Sequence, residues 1–417
     1  MRPEGQRSAC RARNDLRRCD RATVRAMALD ASRIPADLDR LAPALREVSS
    51  RIHQNPELRY EEHQAVAWLT EAVERAGLPV ERNLGGVSTA FRARIGGGAG
   101  PRIAILAEYD ALPEIGHACG HNLIAAGALG AFLALAQQKE ALVGTVDLVG
   151  TPAEEGGGGK NRLLDAGAFA GVDAAMMFHP LDRDLLAHPA LAMQRVEVRF
   201  EGTPSHAALA PWDGTSALTA CLQTFHLIDS QRVHFRDGVR VHGFVLNGGQ
   251  AVNIIPELAI AELSVRARDT VELARVLGIV ERCARGAAMA AGVKVTLTRG
   301  ESYKNLINNL TLVRRFGAHL SSLGRTPAET DVEMGAGSTD MGDVSHAVPS
   351  IHPWIGICAK GETTCHQHAF QICAGSERGI EGMLVAAKAM ALTTADLLAD
   401  AGLREDVKRE FEARLRG

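Results

Sequence analysis

One segment of the chain concentrates side chains that can bind metals or transfer protons. Residues 107–122 read AEYDALPEIGHACGHN. The side chains that carry this chemistry are Glu108, Asp110, Glu114, His117, Cys119 and His121. Cys119 and His121 are two positions apart, so both can reach one cation where the backbone is extended or turning. We interpret this pair as the first half of a metal site.

The segment joins a predicted strand to a predicted helix. The apolar run IAILA before it has strand length, and LIAAGALGAFLALA after it has the length and composition of a helix. Junctions of this kind carry the chemistry of many α/β enzymes. Upstream, VSTAFRARIGGGAG predicts that the strand is the second arm of a β-hairpin.

Two further predicted strands end in a similar way. One apolar strand leads to Glu154 and Glu155, and the next leads to His179. The carboxyl ends of neighbouring strands converge on one crevice in open α/β sheets. We therefore expect these side chains to meet Cys119 and His121. Several buried carboxylates and histidines would be costly without a cation, which favours a metal centre over a purely structural cluster.

Length and composition limit the fold and the partners. At 417 residues the chain exceeds what one hydrophobic core usually supports, so we expect two domains. Hydrophobic residues make up 46% and charged residues 23%, as in an ordinary globular protein. The net charge of −3 gives no reason to expect nucleic acid or an anionic membrane as a partner. No uninterrupted apolar run approaches the length of a membrane span.

The cysteines and the N-terminal segment bear on the cellular location. Eight cysteines are scattered without the spacing of a disulfide framework, which indicates a reducing compartment. We therefore expect a cytoplasmic protein. The first 26 residues carry eight arginines and few apolar residues. We interpret residues 1–29 as a disordered or non-native extension rather than a secretory signal, with Met27 as the functional start.

The middle of the chain predicts a second domain. From residue 189, strands and helices follow the order βαββαβ, which is the order of a ferredoxin-like unit. We predict that residues 189–303 form an α+β domain inserted into an α/β domain. Residues 30–188 and 304–417 would form that α/β domain, which carries the metal site.

Six motifs together resemble one enzyme family: HACGHN, TPAEEGGGG, FHP, GTPSHAALAPWDG, AVNIIPE and STDMGDVS. From about Pro35 to the C-terminus, the chain resembles the aminoacylase and carboxypeptidase family of di-metal exopeptidases, clan MH. Within that family it is similar to the amidohydrolase branch of hippurate, auxin-conjugate and p-aminobenzoyl-glutamate hydrolases. Many members of the branch have Asp at the position of Asn122. HACGHN with Asn resembles the p-aminobenzoyl-glutamate and β-alanyl-dipeptide subgroup.

The resemblance implies a fold and a set of metal ligands. It implies a mixed-sheet, zinc-exopeptidase-like catalytic domain with an inserted ferredoxin-like lid and dimerisation domain. It also implies two divalent ions per chain, zinc or manganese with cobalt as a third candidate, on soft and hard donors. The implied ligands are Cys119, His121, Glu155, His179 and a late histidine. We choose His366 over His368 for the late ligand, because its distance from Gly375 matches the family spacing. Glu108 stands where other branches have a ligating histidine.

The resemblance also implies roles in catalysis and binding. Glu154 would act as the general base, and Asp110 as the carboxylate that orients a ligand. His206, in PSHAA, resembles the residue that stabilises the oxyanion. In the family this histidine serves the metals of a partner chain, so we expect a homodimer through the inserted domain. Asn253 and Arg266 are suited to binding a substrate carboxylate.

Together these residues predict an enzyme. We expect a metal-dependent amidohydrolase or dipeptidase that cleaves the amide bond of an N-acyl amino acid or dipeptide with a free carboxylate. A hydrolase of p-aminobenzoyl-glutamate-type conjugates is the second hypothesis. The third is a catalytically silent binding protein on the same fold, and the presence of Glu154 and of all five candidate ligands argues against it. The sequence leaves the acyl group, the amino acid and the metal open.

Overall fold

Two large β-sheets, each with its own helices, organise the chain. The structure is a computed structural model, and it describes residues 29–416. The N-terminal extension predicted at residues 1–29 falls almost entirely on residues 1–28, which lie outside the described part.

The larger sheet has six strands of mixed direction. They are β1 (Val80–Arg82), β2 (Phe91–Gly97), β3 (Arg102–Ala107), β4 (Gly144–Gly150), β5 (Ala174–Met176) and β11 (Ser350–Ile351). Their order across the sheet is β1-β2-β4-β3-β5-β11. The last four are parallel to one another, whereas β2 is antiparallel to both of its neighbours, β1 and β4. The parallel strands therefore end at a common edge of the sheet.

The predicted hairpin of β2 and β3 is wrong. Both strands pair with β4, which lies between them. The other edge of β3 pairs with β5, so both edges of β3 are used by parallel neighbours. Parallel strands need a long crossover, and the helix after β3 provides it. The glycine-rich turn thus connects two strands that are not adjacent.

Helices cover both faces of the larger sheet. They are α1 (Ile34–Gln54), α2 (His63–Arg75), α3 (His121–Ala136), α4 (Gly159–Asp165), α7 (Leu310–Ser322), α8 (Met341–Ala347), α9 (His368–Ala374), α10 (Glu377–Ala399) and α11 (Ala401–Arg416). Side chains alternate along β3: Ile103 and Ile105 enter a core with α1, α3 and α10. Ala104 and Leu106 enter a second core with α4 and α8. Burial on both faces explains why the sequence of β3 is continuously apolar.

Among the described helices, α10 has the length and composition of a membrane span. In its most apolar window, 67% of the residues are buried inside the protein. It packs against α1, α3 and α7. An apolar helix covered by its neighbours in this way belongs to the core.

The smaller sheet has four antiparallel strands. They are β7 (Ala192–Glu201), β8 (Arg240–Asn247), β9 (Leu258–Ala267) and β10 (Lys294–Tyr303). Their order is β10-β7-β9-β8, and helices α5 (Ala217–Ser230) and α6 (Thr270–Ala291) pack against them around a separate core. Burial alternates along β9, so the two helices cover one face. A short parallel pair, β6 (His179–Leu181) and β12 (Trp354–Gly356), completes the strands.

Candidate metal centre

Cys119 and His121 lie at the start of α3, at the carboxyl edge of the larger sheet. Gly120 between them has a φ of +77°, a left-handed conformation that glycine adopts without strain. A Cβ atom at this position would lie 2.8 Å from the side chain of Pro180. The Cys-Gly-His sequence therefore allows a tight turn that directs two metal-binding side chains toward one point.

Asp110 fixes the orientation of the His121 ring. Nδ1 of His121 lies 3.0 Å from Asp110 Oδ1 and 2.9 Å from Asp110 O, so Nδ1 donates; in a neutral, metal-binding ring Nε2 would then carry the free electron pair. Nε2 is buried and has no hydrogen-bond partner among the described residues. It lies 3.5 Å from Glu108 Oε2 and 3.9 Å from Glu155 Oε1. A carboxylate that holds one ring nitrogen in this way is typical of metal-binding histidines.

The predicted ligands, together with the predicted base Glu154, form three overlapping groups of donor atoms. Within each group, all the donor atoms lie within 4.8 Å of one another. The groups are Cys119, His121 and His179; Cys119, Glu155 and His366; and His121, Glu154 and Glu155. Thiolate, imidazole and carboxylate donors at this spacing suit divalent transition metals. Cys119, His121 and Glu155 each belong to two of these groups, so the groups form one continuous cluster of donors.

His366 joins these donors, whereas His368 does not. Nε2 of His366 lies 3.4 Å from Glu155 Oε2, and its backbone N–H donates to Ala118 O. His368 begins α9 and belongs to none of the metal-binding groups found within residues 29–416. The course of the backbone thus places at the centre the residue that we chose from the sequence spacing.

Negative charge accumulates at this centre. Burial raises the pKa of Glu154 well above its usual range, and neighbouring carboxylates, Glu108 first, raise it further. Burial alone would lower the pKa of His121, but Asp110 and the other carboxylates outweigh burial and raise it well above its usual value. The contribution of neighbouring carboxylates to both shifts reflects an excess of buried negative charge. A divalent cation would relieve that excess, so the residues present fit a metal.

A buried lysine, which the sequence analysis did not identify, neutralises part of this charge. Nζ of Lys160 lies 2.5 Å from Glu108 Oε1 and 2.5 Å from Asp340 Oδ1. All three residues are fully buried. Glu108 stands at the position where other branches have a ligating histidine. In this chain it instead forms an ion pair with Lys160. In the sequence, this lysine could have been identified by its position directly after the glycine run at 156–159, close to the predicted metal ligands.

The donors open into a cavity of about 390 Å³ whose wall includes Arg266 of β9. Nη1 of Arg266 donates to Ser338 Oγ at 3.2 Å, its one side-chain hydrogen bond to another described residue. Burial lowers the pKa of Arg266, and the nearby Arg195 lowers it further. A guanidinium without an acidic partner at a cavity wall suits an anionic ligand.

His206 and Asn253 are not brought to this cavity within one chain. Both are exposed residues of the segment between β7 and β9, and neither lines the cavity. Nδ1 of His206 accepts hydrogen bonds from the backbone N–H groups of Ala208 and Leu209. The roles predicted for these two residues are therefore not met within this arrangement of the described chain.

Comparison with known proteins identifies relatives of this fold and site. The model of Peptidase family M20/M25/M40 matches residues 104–393. The chain is 38% identical to the Xaa-Arg dipeptidase of Mus musculus over 91% of each chain. It is 30% identical to one of the subunits of p-aminobenzoyl-glutamate hydrolase from Escherichia coli strain K12, over 88% of this chain and 91% of that protein. A crystal structure of a dinuclear metal binding peptidase from Bacillus subtilis matches with a TM-score of 0.67 and 22% identity, covering 87% of this chain and 99% of that one.

The fold and these relatives define a hydrolase of amide bonds, of the amidohydrolase and dipeptidase kind. The chain belongs to peptidase family M20/M25/M40. The resemblance inferred from the six motifs is confirmed, and the mixed α/β sheet is that of the family.

Lys160→Met removes the cation between two buried carboxylates. We expect a loss of about 3–5 kcal/mol in the free energy of unfolding near neutral pH, because uncompensated buried charge remains. Burial already raises the pKa of Asp340 to about 6, although Lys160 opposes this shift. Without the ammonium this pKa rises further, so on acidification the folded variant binds protons that the unfolded chain does not. The deficit should therefore shrink as the pH falls, which urea unfolding at several pH values measures.

Lys408→Met provides the matched control. The Lys408 side chain is 76% exposed and approaches Glu412 only at 4.0 Å. Its loss should change the free energy of unfolding by less than about 0.5 kcal/mol. If the Lys160 variant is as stable as this control, the ammonium does not balance the buried carboxylates.

Proposed function

We propose that the protein is a metal-dependent amidohydrolase or dipeptidase that hydrolyses the amide bond of an N-acyl amino acid or dipeptide with a free carboxylate. The observation that carries the proposal is the convergence of metal-binding side chains around the buried Glu154. The proposed ligands are Cys119, His121, Glu155, His179 and His366. Two divalent cations, zinc or manganese with cobalt as a third candidate, suit this mixture of donors.

The residues around the proposed metals have different roles in catalysis. Bound divalent cations would polarise the scissile carbonyl and lower the pKa of water. Glu154 accepts the proton of the attacking water and delivers it to the leaving amine. Its buried carboxylate is a stronger base than an exposed one, because burial raises its pKa. Asp110 aligns two ligands at once, since its oxygens accept from His121 Nδ1 and, at 2.9 Å, from the backbone N–H of Glu155.

Arg266 is the proposed anchor of the substrate carboxylate. Its guanidinium faces the same cavity as the metal-binding groups and has no acidic partner among the described residues. Asn253 would join it from a partner chain. The dipeptidase relative at 38% identity supports a dipeptide substrate. The p-aminobenzoyl-glutamate hydrolase relative, at 30%, supports an aryl-glutamate conjugate as the second candidate.

We further propose that residues 189–303 form a ferredoxin-like lid and dimerisation domain, inserted between residues 30–188 and 304–417. The strand order of the smaller sheet and its separate core support the domain assignment. β8 is one of the two edge strands of that sheet, and Phe244 and Leu246 on it are each 56% exposed. Exposed apolar side chains on an edge strand suit contact with a second chain. The six described cysteines are free thiols, which supports a cytoplasmic location.

Glu154→Gln tests the general base. The variant should keep its fold and bound metal but lose at least about two orders of magnitude in kcat, because an amide cannot accept the proton. Turnover should be measured with zinc, manganese and cobalt on N-acyl amino acids, Xaa-Arg dipeptides, β-alanyl dipeptides and p-aminobenzoyl-glutamate. The same panel ranks the candidate substrates in the unmodified enzyme. Near-normal turnover of the variant would remove Glu154 from the role of base.

Cys119→Ala tests the metal centre. Because a methyl group cannot coordinate a cation, the variant should lose bound metal and turnover together. Elemental analysis after dialysis measures the metal per chain. Cys221→Ala is the matched control, since Cys221 is a buried cysteine in the core of the smaller sheet. Full metal occupancy and normal turnover in the Cys119 variant would contradict its role as a ligand.

Mixing His206→Ala with Glu154→Gln chains tests the dimer. Each variant alone should be nearly inactive, with a loss for His206→Ala of about 2.7–4 kcal/mol if it stabilises the oxyanion. In a mixed dimer, one site combines an intact Glu154 with an intact His206 from the partner. Random exchange of chains should therefore restore about a quarter of the wild-type sites. If heterodimers are demonstrated and no activity returns, the assignment of His206 to the partner site is wrong.

A further inference from the structure

The turn that carries Glu154 and Glu155 has an unfavourable backbone conformation. Ala153 has a φ of +60°, in the left-handed region that costs energy for any residue with a Cβ atom. Gly156 and Gly158, with φ values of +139° and +61°, continue the irregular path. A strained segment of this kind persists only when its surroundings hold it in place.

Three side chains from the segment before α2 bind the backbone of this turn. Oε1 of Glu62 accepts from the backbone N–H of Ala153 at 2.9 Å. Nη1 of Arg59 donates to Gly156 O at 2.7 Å, and the hydroxyl of Tyr60 donates to Gly157 O at 2.6 Å. The three bonds flank the Glu154-Glu155 pair on both sides. They satisfy backbone groups that have no partner in a helix or a sheet.

The glycines of the turn allow these side chains to come close. A Cβ atom on Gly156 would lie 2.5 Å from Arg59 Nη1, and one on Gly157 would lie 2.7 Å from the ring of Tyr60. Any larger residue at these two positions would push the side chains away. The glycine run after Glu155 is therefore matched to the segment at 59–62.

Glu62 is not explained by stability alone. It is fully buried, and it forms no ion pair with any residue in the described part of the chain. Burying a carboxylate without a cationic partner is costly. Burial raises the pKa of Glu62 to about 7, and the nearby Asp110 carboxylate adds to the shift. The hydrogen bond from the Ala153 N–H is the contact that ties this costly carboxylate to the strained turn.

We propose that Arg59, Tyr60 and Glu62 form a clamp that sets the direction of Glu154 and Glu155. They are positioning residues, since none of them is among the metal-binding groups, and they act through the turn. This inference rests on the roles proposed above for Glu154 as base and Glu155 as ligand. A displacement of about 1 Å at a reacting group can lower turnover about a hundredfold, so holding a strained turn matters for rate.

Glu62→Ala tests the clamp in the metal-loaded enzyme. Hydrogen–deuterium exchange of a peptide covering residues 148–158 should become faster. At saturating metal, kcat should fall about 10–100-fold while KM changes less, because the reacting groups rather than the substrate anchor are misplaced. Glu62→Gln should recover most of both properties, since the amide oxygen can still accept from the N–H of Ala153.

Glu61→Ala is the matched control. Glu61 is adjacent in sequence, but its side chain is 76% exposed and contacts His63 rather than the turn. This variant should show unchanged exchange and turnover. Tyr60→Phe removes a single clamp bond and keeps the ring, so it supplies an answer even if Glu62→Ala fails to fold. It should accelerate exchange of the same peptide and lower kcat about threefold, a smaller loss because the other two bonds remain.

Two results would overturn the clamp. One is unchanged exchange of the turn in Glu62→Ala, or in Tyr60→Phe if the first variant does not fold. The other is faster exchange with unchanged kcat, which would mean that the turn needs no positioning. The exchange measurement does not depend on the role of Glu154. An active Glu154→Gln variant would refute the proposed base, but it would not change the conclusion drawn from hydrogen–deuterium exchange that the clamp stabilises the turn.

Discussion

Burial of negative charge is the constraint on which the rest of the structure depends. Several carboxylates converge at the carboxyl edge of the larger sheet, and a buried carboxylate without a partner tends to become neutral. The ammonium group of Lys160 balances the negative charge of Glu108 and Asp340. We infer that Glu155 and the buried thiol of Cys119 depend on cations taken from solution. Under the proposed function, Lys160 supplies one part of the charge balance permanently, and bound metal would supply the other part.

The fold brings the charges together through parallel strands and rigid helices. β3, β4 and β5 run side by side in one direction, so the residues that follow them meet at one edge. α3 begins at His121 and is buried along nearly its whole length. Gly127 lets it approach the ring of Phe178, where a Cβ atom would lie only 2.6 Å away. His121, a proposed ligand, therefore stands on a closely packed helix and has little freedom to move, as a metal site would require.

Local sequence patterns predicted the site where chemistry follows directly after an apolar strand. Glu154 and His179 were found in this way, because strand direction alone decides where such residues meet. Lys160 gave a weaker signal, since its two partners lie 52 and 180 residues away. The same limit explains the false hairpin. A glycine-rich turn indicates that the chain changes direction between β2 and β3. It does not show which strand each of them pairs with, and both pair with β4, which comes much later in the chain.

The smaller sheet lines part of the cavity and also contacts the turn that carries Glu154. Arg266 on β9 faces the cavity, and Tyr303 at the end of β10 places its hydroxyl 3.1 Å from the backbone oxygen of Glu154. Both strands belong to one hydrogen-bonded sheet, joined through β7. The proposed substrate anchor, Arg266, is thus connected through this sheet to the turn that carries the proposed base. Glu62 precedes α2, which packs on the larger sheet, and it accepts a hydrogen bond from Ala153 in the same turn. Because the turn is contacted from the side of each sheet, the orientation of Glu154 depends on how the two sheets are placed.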